Sequence, residues 1–435
     1  MPLRTTARMT AFRPGQSPPP VRTPIRKPPA TYPARLALAG LAACAALAAS
    51  GCGSDDEPER PDGALTVYSS LPRQGISAER AQAVSAGARL ALADAGGKAG
   101  GRRVRLVELD SSGGGDAPWD PAAVEENARR ASDDPSAIAY LGELELGGSA
   151  VSVPVTNSKD LLQVSPFDGL PSLTEEDPGG GGEGPARYYP DGRRTFVRVV
   201  PHDGNQAEAL VDEARLQGNS RMAIVRDDRV SGRELASWAL HAAGQAKMAA
   251  KIEEFRGGAN PDDVARDVAE ERPEAIVYVG DAGEDADRIV PALARALPRT
   301  QIFATSALAA APPPGATLQV MQPAAPVDTY PETTRRLLAR IAERSGMASA
   351  PAEALYGYEA MRLILDAVAA VRARPGDRAA VARAAIGPRR RRAAFGSYGI
   401  SAGGDVTTGT LAVYRAEAGR LHFLGDVQLA PARHE

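Results

Sequence analysis

Residues 139–174 have the sequence AYLGELELGGSAVSVPVTNSKDLLQVSPFDGLPSLT, and this stretch decides the fold. Its pattern predicts a buried strand over 138–141, a glycine-containing loop, a short helix from about Ser149 and a second strand over 161–164 that stops at Ser165-Pro166. In a parallel sheet, the loops that follow two such strands emerge at the same edge, where open α/β sheets bind ligands. The stretch therefore predicts a ligand-binding edge in an α/β protein.

The rest of the chain repeats this alternation of strands and helices. Upstream, the pattern predicts a strand over 65–68, a helix over 77–95, a strand over 104–109 and a helix that opens at Asp120-Pro121. Downstream, it predicts strands separated by helices, at 196–200, 222–225, 251–255, 275–279 and 301–304, and then helices over 331–345 and 352–372. Such alternation favours βαβ units around parallel sheets.

Composition excludes several classes of function. The chain has 435 residues, 43% of them hydrophobic and 24% charged, which suits packed cores in two or three domains. A formal net charge of −3 argues against binding to nucleic acid, which needs a basic excess. The glycine-rich residues 178–185 lack the Lys-Ser/Thr ending of a phosphate-binding loop, and the four histidines are scattered. We therefore expect no cofactor, no metal site and no catalytic centre.

The first 52 residues predict an export signal. A basic, proline-rich region precedes the apolar run LALAGLAACAALAA at residues 36–49, which is shorter than the roughly 20 residues of a membrane span. The following Ala49-Ser50-Gly51-Cys52 resembles a bacterial lipobox, which implies removal of residues 1–51 and acylation of Cys52. Residues 52–63 would then form the acylated tether. The alternative is an uncleaved anchor in which Cys52 merely ends an apolar stretch.

Cysteine usage limits the chemistry of the exported part. Cys44 and Cys52 are the two cysteines of the chain, and Cys44 would leave with the signal. The exported domain therefore has no disulfide, although its compartment would permit one. Zinc and thiol chemistry likewise have no ligands to use.

The central stretch also resembles the ligand-binding segment of the type I periplasmic binding proteins, in the branch of the branched-chain amino acid receptors. The positions that carry the resemblance are Tyr140, Gly142, Glu143, Gly147, Ser149, Ala150, Pro154, Asn157, Ser165, Pro166, Leu173 and Thr174. Near the carboxyl terminus, the sequence GSYGI at 396–400 and GGD at 403–405 resemble the closing hairpin of the same family. The resemblance covers residues 64–430, essentially the whole exported part.

This resemblance implies two doubly wound, Rossmann-like α/β lobes joined by three hinge crossings. Lobe 1 would comprise residues 64–200 and about 306–393, and lobe 2 about 201–305 and 394–430. The resemblance also implies a hinge motion that closes the lobes over a ligand.

Several positions that touch the ligand in the family are different in this chain. In the amino-acid-binding relatives a serine, a helix amino terminus and a threonine hold the ligand carboxylate, as the helix dipole and free N–H groups favour. An ungapped comparison places Glu145 and Leu146 at an asparagine and a serine, and Phe167, Asp168 and Gly169 at a serine, an asparagine and a threonine. The predicted ligand-binding residues are Ser69, Ser70, Gln74, Glu145, Leu146, Gly147, Ser149, Phe167, Asp168, Gly169, Ser231, Asp281 and Ser306.

The two acidic replacements suggest an unusual ligand. If Glu145 and Asp168 both face the cleft, they would repel a ligand carboxylate by about 4 kcal/mol at roughly 4 Å. We therefore hypothesise a neutral or cationic ligand, with Asp281 and Glu284 contributing from the other lobe. In the alternative, Glu145 points to solvent and Asp168 caps a turn. A gap of one residue would instead put Ser149 near the serine role.

The resemblance predicts an exported, lipid-anchored and monomeric solute-binding protein on the outer face of the cell membrane. It would deliver a small ligand, which could be amino-acid-like, to an ABC permease and would not be an enzyme. Three alternatives remain open: a receptor of the same fold that feeds a signalling partner, an enzyme on a doubly wound scaffold, and a degenerate envelope protein without a ligand.

Overall fold

A computed structural model describes residues 63–114, 117–180, 184–309, 311–371, 374–387 and 390–429. The predicted signal, Cys52 and nearly all of the tether lie outside these ranges. The described residues form two α/β lobes, which confirms the predicted fold class.

A six-stranded sheet forms the centre of the first lobe, with the order β2-β3-β1-β4-β5-β6. Its strands are β1 (Leu65–Leu71), β2 (Lys98–Ala99), β3 (Arg102–Asp110), β4 (Ala137–Leu141), β5 (Leu162–Ser165) and β6 (Phe196–Arg198). All pairings are parallel except that of β2 with β3. Every residue of β1 and β4 is buried, as expected for strands covered by helices on both faces.

Helices from two separate parts of the chain pack on this sheet. They are α1 (Ala78–Asp94), α2 (Pro121–Asp133), α3 (Gly148–Asn157), α8 (Glu332–Ser345), α9 (Glu353–Ala370) and α10 (Arg378–Ala385). The predicted opening of α2 is confirmed, because the Asp120 side chain accepts hydrogen bonds from the N–H groups of Ala122 and Ala123. The return of the chain to this lobe means that it is joined to the second lobe by more than one crossing.

A seven-stranded sheet forms the centre of the second lobe, with the order β15-β14-β11-β10-β9-β7-β8. Its strands are β7 (Arg221–Asp227), β8 (Ala249–Phe255), β9 (Ala275–Tyr278), β10 (Gln301–Ala304), β11 (Leu318–Gln322), β14 (Thr410–Glu417) and β15 (Arg420–Gln428). Its helices are α4 (Asp203–Leu216), α5 (Val230–Gln245), α6 (Pro261–Glu270) and α7 (Glu284–Ala296).

The second crossing lies later than the sequence predicted. We expected the chain to return to the first lobe near Thr305-Ser306, but β11 pairs in parallel with β10 and antiparallel with β14. Leu318 and Val320 are buried in the core of the second lobe. The assignment of residues 306–322 to the first lobe was therefore wrong, because β11 pairs with the open edge of β10.

The third crossing is also later than expected. Residues from 394 onward were assigned to the second lobe, but Tyr398 and Ile400 are buried in the core of the first. A short hairpin of β12 (Arg391–Ala393) and β13 (Gly396–Tyr398) precedes them, and Ile400 forms a bridge with Val406 across the turn that holds Asp405. The chain joins the second sheet only at β14, so the crossing lies between Val406 and Thr410.

Candidate functional site

The amino terminus of α3 is occupied by a carboxylate from the protein itself. Asp168, on the loop after β5, accepts hydrogen bonds from the backbone N–H of Gly147 at 3.0 Å and of Ser149 at 2.6 Å. A third N–H, that of Leu170, donates to the same carboxylate at 3.1 Å. A helix amino terminus favours an anion through its dipole and its free N–H groups. In this protein the anion is the side chain of Asp168, which is completely buried.

Burial and hydrogen bonding act on Asp168 in opposite directions. Burial raises the pKa of the Asp168 carboxyl above its usual value, while the N–H groups of Ser149 and Gly147 and the charge of Arg198 act to lower it. The left-handed backbone of Gly147, with φ of 83°, turns the loop so that its N–H faces the carboxylate.

A second buried acid, Glu143, lies beneath the same helix terminus. Its carboxyl accepts hydrogen bonds from the Tyr140 hydroxyl at 2.7 Å and from Ser70 Oγ at 2.9 Å. Its own N–H donates to Ser149 Oγ at 3.2 Å. The pKa of Glu143 is raised to about 8, chiefly by burial and to a lesser degree by the nearby Asp168, although the hydrogen bonds to its carboxyl act to lower it. Glu143 is therefore mostly neutral at pH 7, and it occupies the hydroxyls of Ser70 and Tyr140.

An arginine that the sequence did not single out lies at this edge of the first lobe. Arg80, near the start of α1, forms a 2.6 Å ion pair with Glu145 and lies 5.5 Å from the centre of the Phe167 ring. Burial lowers the pKa of the Arg80 guanidinium, but Glu145, Glu353 and Asp203 outweigh it and raise the pKa. Glu145 therefore faces a cation rather than solvent, and its Oε1 is buried without a hydrogen-bond partner.

Asp203 brings an acidic group of the second lobe against this edge. Its N–H donates to the carbonyl oxygen of Gly169 at 2.7 Å, and a Cβ added at Gly169 would lie 2.1 Å from Asp203 Oδ1. The pKa of Asp203 is raised to about 7, chiefly by burial. The nearby Asp168 and Asp281 act in the same direction, and the charges of Arg198 and Arg80 act against it. Asp203 is thus at the junction of the charged groups from both lobes.

The facing edge of the second lobe carries its own ion pair. Asp281 lies 2.8 Å from the Arg229 guanidinium and accepts a long hydrogen bond from Ser231 Oγ at 3.4 Å. The buried Asp227 accepts the N–H of Asp281 at 2.9 Å and that of Arg229 at 3.1 Å, which fixes both loops. Asp281 keeps 29% of its side-chain surface exposed.

The two lobes are in direct contact. Glu234, on α5, accepts hydrogen bonds from the N–H of Ser172 at 3.1 Å and from Ser172 Oγ at 2.7 Å. Leu146, from the loop before α3, packs against the core of the second lobe. These contacts describe lobes that are closed on each other.

Arg198 connects the hinge crossings to the cleft. Its Nε lies 2.7 Å from Asp405 Oδ1, so that it joins the chain before the first crossing to the turn before the third. Its guanidinium also donates to the carbonyl oxygens of Asp168 and Leu170, both at 3.0 Å, and to Thr174 Oγ1 at 2.7 Å. A fully buried arginine with these partners fixes the backbone of Asp168 relative to the hinge.

The structure places the predicted residues in three groups. Around the start of α3 it brings together Glu145, Leu146, Gly147, Ser149, Phe167, Asp168 and Gly169. On the second lobe, Ser231 lies beside Asp281, and the N–H of Ser306 donates to Gln206 Oε1 at 3.0 Å. Ser69 and Ser70 are instead buried within β1, and the N–H of the exposed Gln74 donates to Ser112 Oγ at 2.8 Å. These last three residues are thus occupied by contacts within the first lobe.

Sequence reasoning missed Arg80, Asp203, Glu353 and Arg198. Asp203 had one usable signal, because it lies at the predicted start of lobe 2, at about residue 201. Arg80 had none, since an arginine in the first turn of a helix is usually a solvated charge. In the ranges that the structure describes, no group of three or more His, Cys, Asp or Glu residues could hold a metal ion.

Comparison with known proteins agrees with this architecture. The family model of periplasmic binding proteins matches residues 69–420. The chain belongs to the periplasmic binding protein family. The predicted family is therefore confirmed. The family and the similar structures are solute-binding proteins and not enzymes, so the prediction that this chain is not an enzyme is also confirmed.

Several solved structures share the fold. A leucine-binding protein from Thermotoga maritima has a TM-score of 0.67 and 20% identity, over 83% of this chain and 98% of that chain. A solute-binding protein of an ABC transporter from R. palustris, solved in complex with benzoate, has a TM-score of 0.66 and 18% identity, over 86% and 98%. An ABC transporter substrate-binding protein from Desulfitobacterium hafniense, in complex with Leu, has a TM-score of 0.66 and 17% identity, over 83% and 99%. No curated protein matches the sequence.

Family membership implies export. Across the described ranges, no helix of this periplasmic binding protein combines the length and apolarity that a membrane crossing requires.

Proposed function

We propose that this protein is a lipid-anchored solute-binding protein that captures a small ligand between its lobes and presents it to an ABC importer. Family membership supports a role in binding solutes. The observation that carries the proposal is the meeting of the lobes, where Asp203 and Glu234 of the second lobe bond to Gly169 and Ser172 of the first. Hinged lobes that close along a line of polar groups can enclose a solute and release it when they open.

The similar structures support a small solute. Their bound molecules include leucine, benzoate and 4-hydroxybenzoate, all small organic compounds. We propose a ligand of comparable size, held between the start of α3 on one side and Ser231 and Asp281 on the other.

Capture of a solute can be tested on material purified from its own host. We expect mass spectrometry of the denatured protein to release one small organic compound, which raises the melting temperature of the emptied protein when it is added back. A protein that carries no solute, and that no compound of a broad library stabilises, would contradict capture. An uptake assay then separates delivery from sensing, because deletion of the gene should abolish import of that compound if the partner is a permease.

Membrane anchoring through Cys52 is a separate part of the proposal. We propose that the protein is a monomer on the outer face of the membrane, held by acyl chains on Cys52 after removal of residues 1–51. Metabolic labelling with an alkyne fatty acid should mark the wild-type protein and the Cys44→Ser variant, and Cys52→Ser should lose the label and leave the membrane fraction. A Cys52→Ser variant that stays labelled would contradict acylation at this position.

A further inference from the structure

We infer that Asp168 determines the ligand specificity of this cleft, because its carboxylate takes the position that an anionic ligand group would occupy at the start of α3. The cleft would therefore select small amines or amides over carboxylates. This inference rests on the proposed function and names the chemical class of its solute.

The hydrogen bonds at the start of α3 show that its anion-binding donors are already occupied. The N–H groups of Gly147 and Ser149 both donate to the Asp168 carboxylate, at 3.0 and 2.6 Å. A ligand carboxylate would need these same donors, because they are where the helix dipole favours an anion. To bind there, it would first have to displace a buried and fully hydrogen-bonded side chain.

Hydrogen bonds to its backbone groups also hold Asp168 in place. Its N–H donates to Ser165 Oγ at 2.7 Å, and its carbonyl oxygen accepts a hydrogen bond from the buried guanidinium of Arg198 at 3.0 Å. Its carboxylate is also bonded by the N–H of Leu170, two residues further along the chain. The backbone of the loop is therefore fixed, and three N–H groups hold the carboxylate against the helix.

The arginines around the cleft are already paired with acids of the protein. Arg80 and Arg229 are each already paired with an acid, Glu145 and Asp281. Asp203 adds a further acidic group close to Arg80. Glu145 also keeps one buried oxygen, Oε1, that accepts no hydrogen bond and could receive an N–H donor from a ligand. Neither of these two arginines is left unpaired for a second anion, whereas an amine or amide would supply the missing donor.

The test uses pairs of probes that differ in one group. Isoamylamine is leucine without its carboxylate, and benzamide replaces the carboxylate of benzoate with a neutral amide. For the full chain, we expect isoamylamine or benzamide to raise the melting temperature more than its carboxylate partner, and calorimetry to give the same order of affinities. Tighter binding of leucine or benzoate would overturn the inference and would leave the proposed function intact.

The Asp168→Ser variant tests the residue itself. It frees the two N–H groups, so we expect affinity for leucine or benzoate to rise roughly tenfold or more. The control variant is Asp191→Ser, which removes an exposed acid from the same lobe and should change neither affinity. An unchanged preference in a folded Asp168→Ser variant would overturn the inference.

The solute that co-purifies with the wild-type chain decides the remaining cases. If the variant does not fold and no probe binds, a co-purified amine or amide supports the inference, and a co-purified carboxylate overturns it while supporting solute capture. Absence of any bound solute would overturn both.

Discussion

Two arginines, one at the hinge and one at the cleft, are held in different ways. Arg198 is completely buried, lies 2.7 Å from Asp405 and donates to two backbone carbonyl groups. Arg80 keeps 26% of its side chain exposed and has a single ion-pair partner, Glu145, at 2.6 Å. A buried arginine that donates to several backbone and side-chain groups fixes the path of the backbone. At Arg80 the paired Glu145 keeps one unbonded oxygen, so this ion pair can still accept an N–H donor from a ligand.

This difference assigns separate roles to the hinge and the cleft. Arg198 sets where the loop of Asp168 lies, and so determines which groups the start of α3 offers to a solute. Arg80 lies on the ring of Phe167, a residue that the sequence predicted to bind the ligand. Stability should therefore respond to changes at the hinge, and binding to changes at the cleft.

The largest effect is expected for Arg198→Met. The substitution leaves the buried Asp405 carboxylate and two carbonyl groups without their partner, and breaking a buried pair in this way costs about 3–5 kcal/mol. Chemical denaturation should show a loss of that size. In the control Arg215→Met, an exposed i,i+3 pair with Asp212 is lost, and the change should stay within about 0.5 kcal/mol. Similar losses of unfolding free energy in the two variants would mean that Arg198 stabilises the fold no more than an exposed arginine does.

The next effect depends on pH and concerns Glu143. Its pKa is raised from 4.5 to about 8 in the folded protein, so the folded state holds the proton that the unfolded state releases. This contribution to the free energy of unfolding is fully present below about pH 4.5 and is lost as the pH rises to about 8, by a few kcal/mol. The Glu143→Gln variant should lose this part of the pH dependence. A variant with the same slope as the wild type between these pH values would contradict the buried neutral carboxyl.

A smaller effect is expected at the contact between the lobes. Ser172→Ala removes the Oγ hydrogen bond to Glu234 but keeps the bond from the backbone N–H, so the cost should be about 1 kcal/mol. Small-angle scattering of the unliganded variant should show a larger radius of gyration than the wild type, because the closed state is weakened. Ser158→Ala, which removes a hydroxyl bonded within the first lobe, is the control. Equal radii for both variants would mean that this contact does not hold the lobes together.

The smallest effect on stability is expected for Arg80→Gln. A part-exposed ion pair and a ring contact contribute no more than about 1 kcal/mol together after screening. Affinity for an amine or amide solute should nevertheless rise, because Glu145 is then free to accept its N–H groups, and calorimetry would measure the change. Arg89→Gln, on the same helix and paired with Glu108, should leave affinity unchanged. Equal affinities in the two variants would place Arg80 outside the ligand site.

Local sequence patterns were sufficient for most of the fold. The strand, helix and strand of residues 139–174 were predictable because β4 and β5 are short apolar runs bounded by glycine and proline. The place of β11 was not, because its partners β10 and β14 lie at very different distances along the chain. A local sequence pattern does not predict which edge of a sheet a strand will join.

The site was predictable in position but not in detail. The register of the motif placed Asp168 beside α3, yet the sequence left open whether its carboxylate faced the cleft or capped a turn. The structure shows it bonded to the helix terminus, which depends on the turn at Gly147 and on the anchoring of its loop by Arg198. Arg198 is 30 residues from Asp168, so this support could not be inferred from the motif itself.

The most direct test of the account is a crystal structure of the protein with the solute that co-purifies with it. The account predicts one small molecule between the start of α3 and Asp281, contacted by both lobes, with Asp168 still bonded to the N–H groups of Gly147 and Ser149. A molecule bound elsewhere on the surface, or a cleft filled only by the side chains of the protein, would contradict it.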